Sequence, residues 1–524
     1  MAKQMQGASK QILPAALTVA APAAPSPLTV SPTVASPTAP SLVTAPPTAT
    51  LIAAAVLAAT LLVPGVVRAV PVPASGTPSL QASSADAHEP NDTLAQATPI
   101  TADGTFQEHT FYPAGDIDWV TFQAVAGKTY VIETFKSGTD TADTRLELFD
   151  EDGRLLKAND NKDWSRGDRY SRIRWTATQN GPMAVRATYY EGNSSATPAY
   201  RISVTEQARS AATRYIPVEG ADRYKTAIAA SKNAFPLGAD AAVIATGENF
   251  PDALGGAALA GAVTGPILLT PKNGLSADVL AEVRRLKATS VYILGSEAAV
   301  SAAMQNALNS EPGIDVVYRI AGADRYDTAN KVAAEVIRLM GSGYQGGAFV
   351  ATGANFPDAL GASPVAAARA WPVLLAKPGT ASVTLPPEVA LVIIVGGDNV
   401  VSQAIETDLR KQLDTSAQSM VFRFAGADRF ETAALVAEMG VLTLDLDWDG
   451  VGVATGMDFP DALGAGPVLA RAGTALLLTR SNVLPPITGF ALDYYKSEVD
   501  SVHFFGSTAA VSALVRDQVK SILF

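Results

Sequence analysis

From residue 214 to residue 524 the chain alternates short, continuous apolar runs with Ala-rich stretches of helical period. Runs such as Val291 to Gly295, Val392 to Gly396 and Val502 to Gly506 are too short for helices and lack an in–out alternation. That pattern predicts strands of a parallel sheet covered on both faces. The stretches between them, for example Thr226 to Phe235, predict the covering helices. Phe-Pro-Asp occurs three times as a helix start. Pro251, Pro357 and Pro460 fall in the first turn, where a missing N–H costs nothing, and Asp252, Asp358 and Asp461 lie at the positive helix end. Residues 86–206 have a different texture, with period-two alternation broken by Gly, Asn and Asp. Here Thr129 to Phe135, Arg145 to Phe149 and Ser171 to Thr178 predict strands of a β-sandwich. From Gln11 to Val67 there is no charged residue and no core-forming pattern. The apolar run Leu51 to Val63, followed by Val67-Arg68-Ala69, predicts a signal peptide over residues 1–69 with a Pro-rich lead, an uncleaved anchor being the alternative, and residues 70–85 read as a linker.

The C-terminal pattern is a triplication. Gly220-Ala-Asp-Arg-Tyr224 recurs as Gly322-Ala-Asp-Arg-Tyr326 and Gly426-Ala-Asp-Arg-Phe430, at offsets of 102 and 104 residues. Each copy is followed by an eleven-residue string, at Ala245 to Gly255, Ala351 to Gly361 and Ala454 to Gly464, in which Phe-Pro-Asp-Ala-Leu-Gly is invariant. Such self-similarity marks a repeat architecture. It divides the chain at 214–315, 316–419 and 420–524, each piece of about 100 residues being large enough for a core of its own.

These strings, with Thr226-Ala227, Thr328-Ala329, Thr432-Ala433 and the Pro-Ile-Leu-Leu runs, resemble the bacterial cell wall binding repeat 2 family across residues 214–524. The resemblance implies a Toprim-like α/β fold per repeat, an intramolecular pseudo-trimer, and non-covalent attachment to anionic polymers of a Gram-positive type envelope. It also assigns polymer attachment to Pro266, Ile267, Leu268 and Leu269 and to Pro372, Val373, Leu374 and Leu375. In the third repeat the proline is replaced by Ala475.

The residues themselves suggest a second kind of contact. Arg223, Arg325 and Arg429 would be presented three times around a pseudo-threefold axis, with guanidinium groups suited to phosphate or carboxylate. Three weak contacts on one chain would engage a repeating polymer at high effective concentration. The structural alternative pairs each Arg with the preceding Asp, at 222, 324 or 428, or with an Asp of the next repeat. Composition sharpens this point. The whole chain carries a formal charge of −11, and residues 214–524 hold 23 Lys+Arg against 31 Asp+Glu, a net of −8. Attraction to a polyanion must therefore be local, and nucleic acid is not an expected partner.

In residues 86–206, Glu89-Pro-Asn-Asp-Thr93, Gly115-Asp-Ile-Asp-Trp-Val-Thr-Phe122 and the hairpin Leu148 to Leu156 resemble the bacterial pre-peptidase C-terminal (PPC) domain. The resemblance implies a jelly-roll-like accessory sandwich with no peptidase of its own. Asp116, Asp118, Asp160 and Asp163 are hard oxygen donors that can gather around Ca²⁺, or they are solvated turns, and no metal is expected. Among Trp119, Trp164 and Trp175, Trp119 reads as core and Trp164 as the ligand-contact candidate.

Catalytic signals are absent from the sequence. There is no cysteine, and the histidines at 88, 109 and 503 are scattered. Neither Gly-x-Ser-x-Gly, His-Glu-x-x-His nor a P-loop occurs, and no carboxylate cluster for Mg²⁺ recurs in all three repeats. No cofactor is expected. The expectation is thus a multidomain, secreted, non-catalytic surface protein: a β-sandwich, then three Toprim-like repeats forming a pseudo-trimer that holds an anionic wall polysaccharide or teichoic-acid-like polymer. It would meet the membrane only through its signal peptide. The alternatives are an accessory of a wall hydrolase or secreted peptidase, and a self-assembling surface-layer component.

Overall fold

The computed structural model describes residues 85–138, 142–159, 170–189, 197–207, 212–249, 251–273, 276–344, 346–413, 420–444 and 446–524. The expected signal segment, Asp160, Asp163 and Trp164 lie outside these residues. Among the described residues no helix is long and apolar enough to cross a membrane.

The N-terminal part is two sheets around one core. One sheet runs Thr98–Pro99, Ile117–Ala124, Gly181–Tyr189, Thr144–Phe149, Leu155–Asn159, and the other Gln107–Thr110, Ala199–Gln207, Thr129–Lys136, Arg172–Thr176. All neighbours are antiparallel except the short first pair. Val120, Phe122, Leu146 and Val185 from the first sheet meet Ile132, Ile173 and Ile202 from the second. Because side chains alternate along a strand, turning Val120 and Phe122 inward turns Trp119 outward. Trp119 is half-buried beside Phe149 at 5.2 Å, with the Arg186 guanidinium 5.7 Å from its ring, which corrects the expectation of a core position. Trp175 is in the core.

The C-terminal part contains three four-stranded parallel sheets. The first is ordered Ile267–Thr270, Ala241–Thr246, Ser290–Leu294, Val316–Ile320, and the second Val373–Ala376, Gly347–Thr352, Leu391–Val395, Met420–Phe424. The third is Thr474–Thr479, Asp447–Thr455, Ser501–Phe505, Arg214–Val218. Sequence repeat and sheet are therefore out of step. Val316–Ile320 and Met420–Phe424, which open the second and third sequence repeats, complete the sheets of the first and second. Arg214–Val218, the opening strand of the first repeat, pairs with Ser501–Phe505 near the other end of the chain and closes the ring.

The closure is made with a changed set of residues. Arg319 and Arg423, on the fourth strands of the first two sheets, donate to the Gly295 and Gly396 carbonyls at 2.8 and 2.7 Å. The register puts Pro217 in that place on the closing strand. The equivalent bond, to the Gly506 carbonyl at 2.6 Å, comes instead from Arg516 on the helix Ala513–Leu523, which also holds Glu219 at 2.8 Å. A guanidinium is thus kept on the corresponding turn glycine of each sheet although its donor element changes.

The helices after Phe-Pro-Asp meet at the centre. Gly256–Ala262, Ser363–Ala368 and Pro460–Ala472 consist largely of small residues, and one apolar core runs through all three units. A Cβ on Gly261 would lie 1.9 Å from the Ala367 carbonyl oxygen, so that close approach needs glycine. Two smaller clusters fill the outer faces of the first and second units. With strands exchanged and a common core, the units are parts of one body, not three separately completed domains. The third sheet also shows what Ala475 changes: without the proline, the strand extends to Thr474–Thr479, six residues against four in Ile267–Thr270 and Val373–Ala376.

The sandwich is seated on the third unit. Lys157 Nζ, almost fully buried, donates to Asp447 Oδ2 at 3.0 Å and to the Arg174 carbonyl at 2.8 Å. Arg174 pairs with Asp500 at 2.8 Å and donates to the Glu498 carbonyl at 2.6 Å. Burial alone would lower the Lys157 ammonium, but the Asp447 and Glu498 carboxylates overturn that and leave it raised. Burial pushes Glu498 up to about 7, and burial together with Asp447 pushes Asp449 up to about 6.

Candidate functional site

The Gly-Ala-Asp-Arg turn is built by its own residues. A Cβ on Gly220, Gly322 or Gly426 would fall 2.4, 2.3 or 2.4 Å from the backbone or side chain of the first helical turn, so only glycine fits. The glycine N–H groups donate to Thr226, Thr328 and Thr432 Oγ1 at 3.1 Å, which explains the recurring threonine. Asp222, Asp324 and Asp428 are N-caps, accepting from helix N–H groups such as Lys225 N, Asp327 N and Glu431 N. Their carboxylates are engaged with the backbone, leaving the next residue to reach elsewhere.

That residue is the arginine, and it joins units. Arg223, Arg325 and Arg429 Nη1 donate to the carbonyls of Gly247, Gly353 and Gly456 at 2.6, 2.8 and 2.7 Å. The Arg223 guanidinium also stands 5.8 Å from the Phe459 ring and 3.5 Å from Asp458, and Arg429 stands 6.0 Å from Phe356. Phe356 and Phe459 are themselves 6.0 Å apart. Arg223 and Arg429 are thus wedged between a Gly carbonyl of one unit and a Phe ring of another. Arg223 remains 36% exposed, so it can still face solvent.

The aromatic residue after each arginine lies against the same glycine. A Cβ on Gly247, Gly353 or Gly456 would lie 2.6, 2.4 or 3.1 Å from Tyr224, Tyr326 or Phe430. Over two of these rings stands a further cation, Lys377 Nζ at 5.6 Å from Tyr326 and Arg480 at 4.9 Å from Phe430. Reading the sequence missed both. Each follows its strand directly, but the first repeat has Pro271 at that place with Lys272 one residue later, and so no shared string marks them.

The Pro-Ile-Leu-Leu segments are elsewhere. Ile267, Leu268 and Leu269 are 1, 0 and 0% exposed, and Val373, Leu374 and Leu375 are nearly as buried. The Pro266 and Pro372 carbonyls accept from Val243 N and Phe349 N at 2.9 and 2.8 Å. These side chains cannot touch a polymer without leaving the core. The residues expected to touch polymer are thus core strand positions, with Lys272 and Lys377 in the chain that follows them.

Asp252, Asp358 and Asp461 lie against the turn glycines Gly295, Gly396 and Gly506, whose φ values are +91, +108 and +92°. Burial pushes Asp358 up to about 6 against the pull of Arg429. It also raises Asp461, which is hydrogen-bonded to Thr226 across the ring closure. Between this closing turn and the third sheet lies a cleft of about 270 Å³ at the carboxyl ends of the strands.

In the sandwich the candidate calcium ligands separate into two groups. Asp118 is enclosed, accepting from Asn91 Nδ2 at 3.1 Å and Tyr200 OH at 2.8 Å and facing His109 Nδ1 at 3.3 Å. Asp116 instead joins Glu89 and Asp92, one carboxylate oxygen of each lying within 4.8 Å of the others. Glu89 Oε1, Asn91 Oδ1 and Asp116 Oδ2 are buried without a hydrogen-bond partner. Burial, then the adjoining Asp92, Asp118 and Glu89 carboxyls, pushes Asp116 up to about 8. Hard, unpartnered oxygens fit a divalent cation such as Ca²⁺.

Relatives share the repeats. The chain is 29% identical over 309 residues to N-acetylmuramoyl-L-alanine amidase LytC of Bacillus subtilis, covering 58% of each protein. It is 28% identical over 302 residues to the Amidase enhancer of the same organism, covering 57% of this chain and 39% of that protein. The chain therefore spans little more than half, or less, of the length of these relatives. The solved structure of Cwp8 from Clostridium difficile superposes with a TM-score of 0.52 at 24% identity, over 59% of this chain and 52% of that one, a likeness of fold. The model of cell wall binding domain 2 (CWB2) matches residues 218–305, 319–406 and 423–516, one match per repeat and together about half of the chain, and the protein belongs to that family.

Proposed function

We propose that this is a secreted, non-catalytic surface protein that binds anionic cell-wall polymers through the strand-end face of its three repeats and carries the sandwich as a PPC-like accessory domain. The carrying observation is the recurrence of one cationic arrangement. Arg223, Arg325 and Arg429 stand at the three unit junctions, and Lys377 and Arg480 sit over the adjoining rings. Local cations on a chain of net charge −11 give focused attraction to phosphate or carboxylate. Several contact points on one body favour a repeating polymer over a small anion. Teichoic-acid-like polymers and anionic polysaccharides both meet that description.

Co-sedimentation of the full chain with isolated walls tests this reading. The double variant Lys377→Ala/Arg480→Ala is expected to weaken binding and flatten its salt dependence. Wild-type binding that does not respond to salt or to this variant would refute it. A second reading, an accessory of a wall hydrolase, is favoured by the likeness to both an amidase and an amidase enhancer. Zymography separates that reading from catalysis, since clearing of peptidoglycan by the pure protein would overturn the non-catalytic proposal.

A further inference from the structure

The three unit junctions differ, and the one that closes the ring forms the cleft of about 270 Å³. We infer that this cleft, between the turn Gly220–Arg223 and the strand ends of the third unit, is a subsite for a single neutral, hydroxyl-rich pyranose of the wall polymer. The inference deepens the polymer-binding reading and rests on it.

Position and size come first. Parallel strands place ligand sites beyond their carboxyl ends. The walls are Thr455, Ser481 and Ser507, which follow or end the three strands of the third unit, and the turn after the closing strand. The volume lies just under the roughly 300–1,000 Å³ of ordinary small-molecule sites, which suits one ring and excludes an oligomer.

Charge then selects the ligand. Asp222, Asp458 and Asp461 line the cleft against a single cation, Arg223. That guanidinium is already held by the Gly247 carbonyl and Asp458. A phosphate entering here would meet three carboxyls and one occupied donor. A sugar hydroxyl meets acceptors, because a carboxylate oxygen engaged once still has a lone pair to offer. Ser481 and Ser507 add hydroxyls, and Met457, 50% exposed on the lip, offers an apolar surface to the C–H face of a ring.

The other junctions lack this lining. Where the closing junction has Met457, Asp458 and Ser481, the first repeat has Glu248, Asn249 and Lys272, and the second has Ala354, Asn355 and Pro378. Labour is thereby divided: charged links of the polymer lie on the two junctions of Arg325 and Arg429, where Lys377 and Arg480 add charge, and one neutral sugar enters the cleft beside Arg223.

The test is saturation-transfer NMR of the full chain with N-acetylglucosamine and with glucose, each alone and with inorganic phosphate as competitor. Saturable binding of at least one sugar is expected, undisturbed by phosphate. Ser481→Trp, which fills the cleft from a loop, should weaken it by about tenfold or more. Ala509→Trp, at an exposed lining position, gives the same readout should the first variant fail to fold. Absence of sugar binding, displacement by phosphate, or binding unchanged in both folded variants would overturn the inference. Wall co-sedimentation in parallel tells the two readings apart. Wall binding without sugar binding removes the cleft alone, and sugar binding without wall binding removes the anchor reading.

Discussion

Replacing Lys157 by methionine removes an ammonium buried between the sandwich and the third unit while keeping the bulk of its stem. The loss strands Asp447, from which Lys157 Nζ lies at 3.0 Å, and takes a positive neighbour from Asp449 and Glu498. Breaking one side of a buried ion pair costs about 3–5 kcal/mol. Asp447 is 22% exposed, so water recovers part of that, and about 2–4 kcal/mol is the reasonable range. Docking through Arg174, with Asp500 at 2.8 Å and the Glu498 carbonyl at 2.6 Å, would remain but be strongly weakened. Heat unfolding of several packed units is not a two-state process, so hydrogen–deuterium exchange is the better assay. Exchange should quicken in Leu155–Asn159 and at the start of Asp447–Thr455, the two strands bearing the pair, and stay unchanged in the first sheet. Lys157→Met/Asp447→Asn should recover part of the loss, since the stranded charge is gone. Wild-type exchange in both segments of the single variant would refute the reasoning.

Further outcomes follow from other parts of the molecule. Gly322→Ala places a Cβ 2.3 Å from Thr328 N and should cost at least the roughly 1–3 kcal/mol of overpacking, read as a lower melting temperature and weaker wall binding. Burial raises Glu438 and Glu498 to about 7, with the Tyr495 hydroxyl donating to Glu438. A carboxyl raised on folding contributes stability that is full below its unfolded value near 4.5 and is lost as pH rises through about 7, so stability should fall from pH 5 to pH 8. Glu438→Gln should flatten that slope, and an unchanged slope would count against the assignment. Ca²⁺ should raise the melting temperature of the sandwich if Glu89, Asp92 and Asp116 hold it, and Asp116→Asn should abolish the rise; a rise retained in that variant would place the ion elsewhere.

Much of this arrangement is legible in the residues, for identifiable reasons. The turn string encodes its geometry locally: glycine for a close approach, Asp as cap, Thr for the glycine N–H. Apolar runs without alternation announced the buried parallel sheets, and by the same physics placed Ile267 to Leu269 in the core. Assigning those residues to polymer contact came from family resemblance alone. Strand exchange was not legible, because Arg214–Val218 has the same apolar pattern whichever sheet receives it. The arginines' partners were hidden for a related reason: a backbone carbonyl such as Gly247 O carries no side-chain signature. Nor does pairwise reading reveal Arg516 standing in, from a helix 299 residues away, for a guanidinium that Pro217 cannot supply. The sandwich's Asp116 and Asp118 separate because Asp118 lies within the strand Ile117–Ala124, facing the core with Tyr200, whereas Asp116 sits in the turn before it and joins Glu89 and Asp92.

The central claim is that the repeats hold anionic polymer. Its most direct measurement is the binding isotherm of the full chain on isolated walls before and after chemical removal of their anionic polymers. Saturable, salt-sensitive binding to intact walls, lost on stripped walls, is the expected result. Undiminished binding to stripped walls would contradict it.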